Sequence, residues 1–220
     1  MSHRATARLF VALDPPQEVR EELAEWARLA AAASRRAAGG RAHRELRPLA
    51  PETLHLTLCF LGSRPVAEID ALAGALAPCA DHHCELALGA PLWLPPREPR
   101  LLAVEVREES GELERMQREL GRALSAISGW EPERRGFMAH ITVVRVRGRA
   151  PRMRRGGRRA ERDERAIEPA QAGASAEQAP ALPPTPSLRF AGEAITLYRS
   201  SLLPAGAAYE ALASSALAPA

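Results

Sequence analysis

Residues 54–62, "LHLTLCFLG", alternate polar and apolar side chains in the pattern of a β-strand with one buried face. Successive side chains of a strand point to opposite faces. His55 and Thr57 therefore project together, while the leucines on either side of them point into the core. A single triplet of this kind is better interpreted as a structural histidine beside a strand-forming threonine, so a functional interpretation needs a second occurrence.

A second stretch, "MAHITVVRV" at residues 138–146, repeats this pattern with His140 and Thr142. The two His-x-Thr triplets lie about 85 residues apart, and each comes after a stretch of helical periodicity. This spacing suggests two related lobes. If the lobes face each other, two imidazoles and two hydroxyls line one cleft.

The other periodicities of the chain predict an alternation of strands and helices. Asp14 is a plausible N-cap of the first helix, with Pro15 at its first position, and Gly39-Gly40 ends it. The remaining elements are strands at 7–13, 84–90, 100–106, 187–190, 193–204 and 207–212, and helices at about 65–77 and 110–129, with Ile127 in the core stripe of the last helix.

Composition indicates a globular protein of 220 residues with 46% hydrophobic residues. No run of 18 or more apolar residues predicts a membrane span, and the N-terminus lacks the apolar core of a signal peptide. Three cysteines are too few and odd in number for a disulfide framework. We therefore expect a cytoplasmic protein, with a monomer as the default state.

The net charge of +3 is unevenly distributed. Residues 145–165 contain ten arginines and three acidic residues, so the basic character belongs to this segment. Residues 148–187 hold almost no large apolar side chains, and we predict a disordered Arg/Pro/Ala-rich loop there. This segment could contact a nucleic-acid backbone non-specifically, but a solvated linker is the better interpretation.

Two histidines suit a reaction in which one proton is removed and another is delivered at neutral pH. Two hydroxyls and nearby arginines are good donors to phosphate oxygens. Threonine is a poor nucleophile without a base in direct contact. The reaction that fits is phosphodiester cleavage without a metal or other cofactor, although metal ligation by the paired histidines stays open.

Four stretches in order resemble the 2H phosphoesterases, named for their two His-x-Thr/Ser motifs, and within them the RNA 2′,3′-cyclic phosphodiesterases once described as 2′-5′ RNA ligases. The stretches are "RLFVALDPP" (8–16), "RPLAPETLHLTLCFLG" (47–62), "RRGFMAHITVVRV" (134–146) and "LYRSSLLPAGAAYEAL" (197–212). The resemblance implies an α+β fold with a pseudo-two-fold axis, a single bilobal domain over residues 1–220. Antiparallel sheets from the two lobes would flank a central cleft, with the helices outside.

The resemblance also implies hydrolysis of 2′,3′-cyclic phosphate RNA ends to a 2′-phosphate, with RNA or nucleotide ends as partners. His140 would be the proton acceptor and His55 the proton donor. Thr57 and Thr142 would hold the non-bridging oxygens, and Arg135 and Arg145 match family positions near the phosphate.

The position of Arg145 is in tension with a regular strand. Strict alternation points Arg145 away from the face that carries His140, so either the strand bulges or Arg145 serves the structure.

Two further activities suit the same cleft: 2′-5′ joining of RNA ends, and phosphate binding by an RNA-binding module without turnover. Outside the cleft, "CADHHC" (79–84) contains metal-ligand types, but its spacing matches no common zinc site. Trp93 and Trp130 could stack on a base, but packing is the better interpretation. We expect Tyr198 and Tyr209 to support the fold.

Overall fold

Strands and helices alternate along the chain in an α+β arrangement. The computed structural model describes residues 5–37, 45–79, 81–132, 136–147, 182–203 and 206–218. The strands of this described part are β1 Thr6–Asp14, β2 Glu45–Pro48, β3 Leu56–Pro65, β4 Glu85–Leu94, β5 Leu101–Arg107, β6 His140–Arg147, β7 Arg189–Ala191, β8 Ala194–Leu203 and β9 Gly206–Ala216. The α-helices are α1 Gln17–Ala37, α2 Ile69–Gly74 and α3 Glu112–Ser128.

The strands form one antiparallel sheet in the order β7-β4-β5-β6-β3-β1-β8-β9, and β2 pairs with the last residues of β6, 144–147. The sheet has two halves, and they meet where Leu56 of β3 lies opposite Ile141 of β6. The α+β class predicted from sequence is confirmed. The two predicted lobes are two halves of one continuous sheet.

The two faces of the sheet differ in what covers them. On β1, Leu9, Val11 and Leu13 are fully buried and belong to the main hydrophobic core. The helices cover this face, with α1 against β2 and β6 and α3 against β3. Side chains alternate along a strand, so Phe10 and Ala12 point to the other face. We call this other face the cleft face.

The first helix starts later than the sequence predicted. Asp14 is the last residue of β1, and its carboxylate accepts hydrogen bonds from the hydroxyls of Thr196 (2.6 Å) and Tyr198 (2.9 Å). The prediction that Asp14 caps α1 is therefore wrong, because its carboxylate is bonded to two hydroxyls of β8 instead of the first N–H groups of the helix. The helix begins at Gln17 and buries Leu23 and Trp26 in the core.

Other element boundaries also differ from the sequence-based expectation. The predicted helix at 65–77 is reduced to α2, with single 3₁₀ turns before it (Val66–Glu68) and after it (Ala77–Cys79). Ile127, expected in the core stripe of α3, is 42% exposed. The closing strand β9 is eleven residues long. The short strand β2 was not predicted.

The last residues of the predicted 148–187 loop pack against the body of the protein. The indole N–H of Trp26 donates to the carbonyl of Pro183 (3.1 Å), and the Thr185 hydroxyl donates to the carbonyl of Gly89 (2.8 Å). Leu182 packs against the core. Residues 148–181 lie outside the described residues. Within the described ranges, no helix is both long and apolar enough to cross a membrane.

Candidate active site

The two histidine rings are held in the same way. His55 Nδ1 lies 2.8 Å from the carbonyl oxygen of Thr53, and His140 Nδ1 lies 2.7 Å from that of Met138. In each case the partner is the residue two positions earlier. A carbonyl can only accept, so Nδ1 carries the proton and Nε2 is left as the atom for chemistry. The two imidazoles thus share the same backbone anchor at Nδ1.

The junction between the half-sheets brings the two motifs to one face. Leu56 and Ile141 lie opposite each other and are fully buried on the helix-covered side. In an antiparallel pair, the residues flanking a given pair on both strands point to the opposite face. The histidine and threonine of each His-x-Thr triplet flank this pair. All four side chains therefore project from the cleft face.

A register shift in β6 turns Arg145 toward the same face. Thr142 lies opposite Ala103 of β5, and Arg145 lies opposite Leu101, while Val143 has no opposite residue. Ala103 and Leu101 are two residues apart and share a face, so their partners share it too. Val143 is thus the extra residue of a β-bulge in β6, which strict alternation of side chains does not predict. Arg145 therefore stands on the cleft face.

The first half-sheet has a matching irregularity. Thr57 lies opposite Ala12 and Phe60 lies opposite Phe10, with Leu58 left without an opposite residue. Phe60, 38% exposed, is thus the counterpart of the second motif's arginine, three residues after the threonine. The backbone arrangement repeats between halves while the side chain changes. At this position, therefore, only the half-sheet that contains β6 supplies a positively charged side chain, Arg145, to the cleft.

Arg145 donates to one side chain, and one of its buried donors has no acceptor. Its Nη2 donates to the hydroxyl oxygen of Tyr209 at 3.1 Å. Its Nε is buried and has no hydrogen-bond acceptor among the described residues. A buried donor without an acceptor costs free energy, and an anion in the cleft would relieve that cost.

Aromatic rings surround His55. Its ring stacks on Phe10 at 4.8 Å between centroids, and Tyr209 meets it edge-on at 5.1 Å. Burial is the main cause that lowers the pKa of His55 to about 4. The Thr53 carbonyl opposes this shift, while the nearby positive charges of His140 and Arg145 add to it. His55 is therefore neutral at neutral pH when the cleft is empty.

A second tyrosine, Tyr198, belongs to the same aromatic cluster, with its ring centroid 6.0 Å from that of His55. Tyr198 stacks on Phe10 at 5.2 Å, and its hydroxyl donates to Asp14. Burial raises the pKa of Tyr198, and the negative charge of Asp14 raises it further. Tyr198 therefore serves the fold, as the sequence analysis expected.

Two further residues, Arg135 and Tyr209, bear on the cleft. Arg135 lies outside the described residues, and its assignment to the phosphate stays a prediction. Tyr209 was expected to support the fold, yet it contacts both His55 and Arg145. Its place follows from its position opposite Ser200 in the pairing of β8 with β9. No local sequence pattern carries that register.

The "CADHHC" stretch forms an ion-pair cluster away from the cleft. His82 Nδ1 contacts Glu112, and His82 Nε2 lies 3.0 Å from Glu119, so the turn before β4 is tied to α3. Cys79 and Cys84 are buried free thiols. Among the residues that the structure describes, no group of three or more histidine, cysteine or acidic side chains is arranged to hold a metal ion.

Comparison by sequence finds a phosphoesterase family. The family model described as LigT like Phosphoesterase matches residues 13–89, a stretch that includes the first His-x-Thr triplet. A curated relative, the RNA 2′,3′-cyclic phosphodiesterase of Aeropyrum pernix, is 34% identical over 100 residues, which cover 44% of this chain and 55% of the relative. The match thus spans about half the length of that relative.

Comparison by structure extends the likeness over the rest of the chain. The protein TT0787 of Thermus thermophilus superposes with a TM-score of 0.66 at 25% identity, covering 96% of this chain and 97% of that chain. Escherichia coli LigT in its apo form gives 0.65 at 25% identity, covering 98% and 99%. The predicted likeness to the LigT-like phosphoesterases is confirmed, by sequence over residues 13–89 and by fold over nearly the whole chain.

Proposed function

From this likeness to the LigT-like phosphoesterases, we propose that the protein hydrolyses 2′,3′-cyclic phosphate ends of RNA or nucleotides to 2′-phosphates without a metal ion. The observation that carries the proposal is the placing of both His-x-Thr triplets on one face, around the Leu56–Ile141 pair. Two imidazoles can move the two protons of a hydrolysis, and neutral and cationic donors beside them can hold the phosphate.

The proposed reaction divides the proton transfers between the two histidines. His140 Nε2 takes a proton from a water molecule as its oxygen attacks phosphorus. The bond from phosphorus to the 3′ oxygen breaks, and His55 Nε2 donates a proton to that oxygen. The product carries a 2′-phosphate and a free 3′-hydroxyl. Because Nδ1 of each ring is bonded to a carbonyl, both transfers use Nε2.

The role of His55 as donor requires that it gains a proton when substrate binds. In the empty cleft its pKa is about 4, chiefly because of burial. A phosphodiester carries one negative charge, and an anion beside an imidazole favours the imidazolium form. Substrate binding thus charges the acid in the complex where it is needed. If binding did not raise this pKa, the neutral ring would suit the role of base, and the two histidines would exchange roles.

The phosphate is held by donors from both halves of the sheet. The hydroxyls of Thr57 and Thr142 are the proposed donors to the two non-bridging oxygens. Arg145, with its unused Nε–H, is the proposed cationic ligand, and this buried donor supports an anion site. Arg135 is proposed as a second arginine beside the same phosphate.

The experiment uses purified protein, EDTA and a short RNA that ends in a 2′,3′-cyclic phosphate. We expect conversion to a 2′-phosphate end in the wild type and loss of roughly 100-fold or more in kcat for His55→Ala and His140→Ala. His83→Ala is the matched control, because this exposed histidine lies in the turn before β4. It should keep wild-type activity.

The other two activities appear as distinct outcomes of this assay. An RNA with a 5′-hydroxyl is added as acceptor, and a joined product resistant to enzymes that cut 3′-5′ linkages would identify 2′-5′ joining. Binding of the RNA without turnover, unchanged in both histidine variants, would contradict the proposed hydrolysis and identify a binding module.

A further inference from the structure

One side chain that was expected to support the fold contacts two groups of the proposed catalytic cleft. Tyr209 of β9 lies opposite Ser200 of β8, and Ser200 lies opposite Arg8 of β1. This register places Tyr209 on the cleft face with Phe10. Its ring meets His55 edge-on at 5.1 Å, and its hydroxyl oxygen lies 3.1 Å from Nη2 of Arg145.

The hydrogen bonds around this hydroxyl leave one proton uncommitted. A guanidinium group can only donate, so the Tyr209 oxygen accepts from Arg145. The Tyr209 O–H proton has no acceptor among the described residues. Arg145 Nε–H, buried in the same cluster, also has none. These two donors belong to side chains joined by one hydrogen bond, and one anion bound beside them can accept from both.

Tyr198 provides the contrast within the same cluster. Both tyrosine rings contact Phe10, at 5.2 Å for Tyr198 and 5.1 Å for Tyr209. The hydroxyl of Tyr198 already donates to Asp14 Oδ1 at 2.9 Å. Its proton is therefore engaged in the fold, whereas the proton of Tyr209 is available to a ligand.

We propose that Tyr209 is a phosphate ligand of the cleft: its oxygen holds Arg145, and its O–H donates to a non-bridging oxygen of the phosphate. This inference rests on the proposed function and adds a residue to it. During hydrolysis, negative charge builds up on the non-bridging oxygens as water adds to phosphorus. A neutral donor fixed at that place binds the transition state more strongly than the substrate.

The test compares Tyr209→Phe with Tyr198→Phe, because each variant removes one hydroxyl and keeps the ring. For Tyr209→Phe we expect kcat/KM on the cyclic phosphate RNA to fall roughly 10- to 100-fold, and inhibition by inorganic phosphate to weaken. For Tyr198→Phe we expect both values to stay within about threefold of wild type. Thermal unfolding of both variants controls for damage to the fold.

A double-mutant cycle with Arg145→Gln separates a ligand from a packing residue. If Tyr209 acts together with Arg145, Tyr209→Phe costs much less in the Arg145→Gln background than in the wild type. Equal costs in both backgrounds would overturn the part of the proposal in which Tyr209 holds Arg145.

A binding measurement keeps the test independent of turnover. The chain has two tyrosines, so 3-fluorotyrosine in the Tyr198→Phe variant labels Tyr209 alone. We expect its ¹⁹F resonance to shift on titration with inorganic phosphate, and the shift to disappear in the Arg145→Gln variant. A shift in protein that shows no turnover would contradict the proposed hydrolysis and keep the ligand assignment. Turnover with no shift, and Tyr209→Phe equal to Tyr198→Phe, would overturn the assignment.

Discussion

Leu56 lies opposite Ile141 where the two halves of the sheet meet, and both side chains are completely buried. Each follows a histidine of the candidate site directly in sequence. The spacing between the two imidazoles therefore depends on how these two apolar side chains pack behind them. The core packing at this point thus helps to position both histidines.

Shortening Leu56 should damage stability and activity together. Leu56→Ala removes a buried side chain, and we expect it to cost about 2–5 kcal/mol of unfolding free energy. Ile141→Val removes one methylene from the other side of the pair and should cost about 0.5–1.5 kcal/mol. Urea unfolding measures both. We expect Leu56→Ala to have lower activity per folded molecule than the wild type, and Ile141→Val to have near-normal activity. This result would show that the packing of the pair positions the histidines. Undiminished activity per folded molecule in Leu56→Ala would contradict that link.

The two threonines should contribute equally to turnover, because they occupy equivalent places in the two half-sheets. Thr57→Val and Thr142→Val keep the shape of the side chain and remove the hydroxyl. We expect each to lower kcat/KM roughly 10- to 100-fold, and each serine variant to keep most of the activity. Thr6→Val, at the exposed start of β1, is the control. Serine variants as inactive as the valine variants would show that packing and not the hydroxyl matters.

Much of this site follows from the sequence, because a strand with one buried face has a period of two residues. That period alone places His55 beside Thr57 and His140 beside Thr142. It fails at Arg145, which strict alternation turns away from the cleft. The bulge at Val143 reverses this, and it is defined by the partner strand, which places Ala103 and Leu101 opposite Thr142 and Arg145. A pairing irregularity has no signature in the strand's own pattern.

Residues whose roles depend on distant strands were also out of reach. Asp14 has the sequence context of a helix cap, but its carboxylate accepts a hydrogen bond of 2.6 Å from the hydroxyl of Thr196 in the neighbouring strand. Tyr209 is an ordinary strand aromatic until the register of β8 and β9 places it beside His55. The roles of both residues depend on which distant strands pair, and the secondary-structure propensity of a residue does not predict that pairing.

His55 should titrate far below an ordinary histidine. Its pKa of about 4 comes chiefly from burial among aromatic rings, with smaller contributions from His140 and Arg145. NMR titration of the imidazole resonances, assigned with His55→Gln, measures this value in the free protein. His140→Ala should raise the pKa of His55 only slightly, because burial is the larger cause. Inorganic phosphate in the cleft should raise it more, since an anion favours the imidazolium.

A sulfur leaving group should identify the proton donor. In a cyclic phosphate whose 3′ oxygen is replaced by sulfur, the departing thiolate needs little protonation, so loss of the general acid matters less. We expect His55→Ala to regain much of its activity on this substrate and His140→Ala to stay inactive. The reverse pattern would assign the base to His55 and the acid to His140. Equal defects on both substrates would contradict a division of roles.

His82 should make stability fall as the pH rises. Burial alone would lower the pKa of His82, but its hydrogen bonds to Glu112 and Glu119 together outweigh this and raise the pKa. A histidine with a raised pKa in the folded state stabilises fully below its unfolded value of about 6.5. That stabilisation is lost as the pH rises through the raised value, because the folded protein then releases the bridging proton.

The measurement is thermal unfolding from about pH 5.5 to 9, a range that brackets the ordinary histidine pKa, for wild type, His82→Gln and the exposed neighbour His83→Gln. Wild type and His83→Gln should lose melting temperature above about pH 6.5, while His82→Gln should start lower and lose less over this range. Glu119→Gln should show an intermediate slope, because the contact of His82 with Glu112 remains. A curve for His82→Gln parallel to wild type would mean that the cluster does not link protonation to folding. Turnover should be unaffected by these variants once each is folded, since the cluster lies outside the cleft.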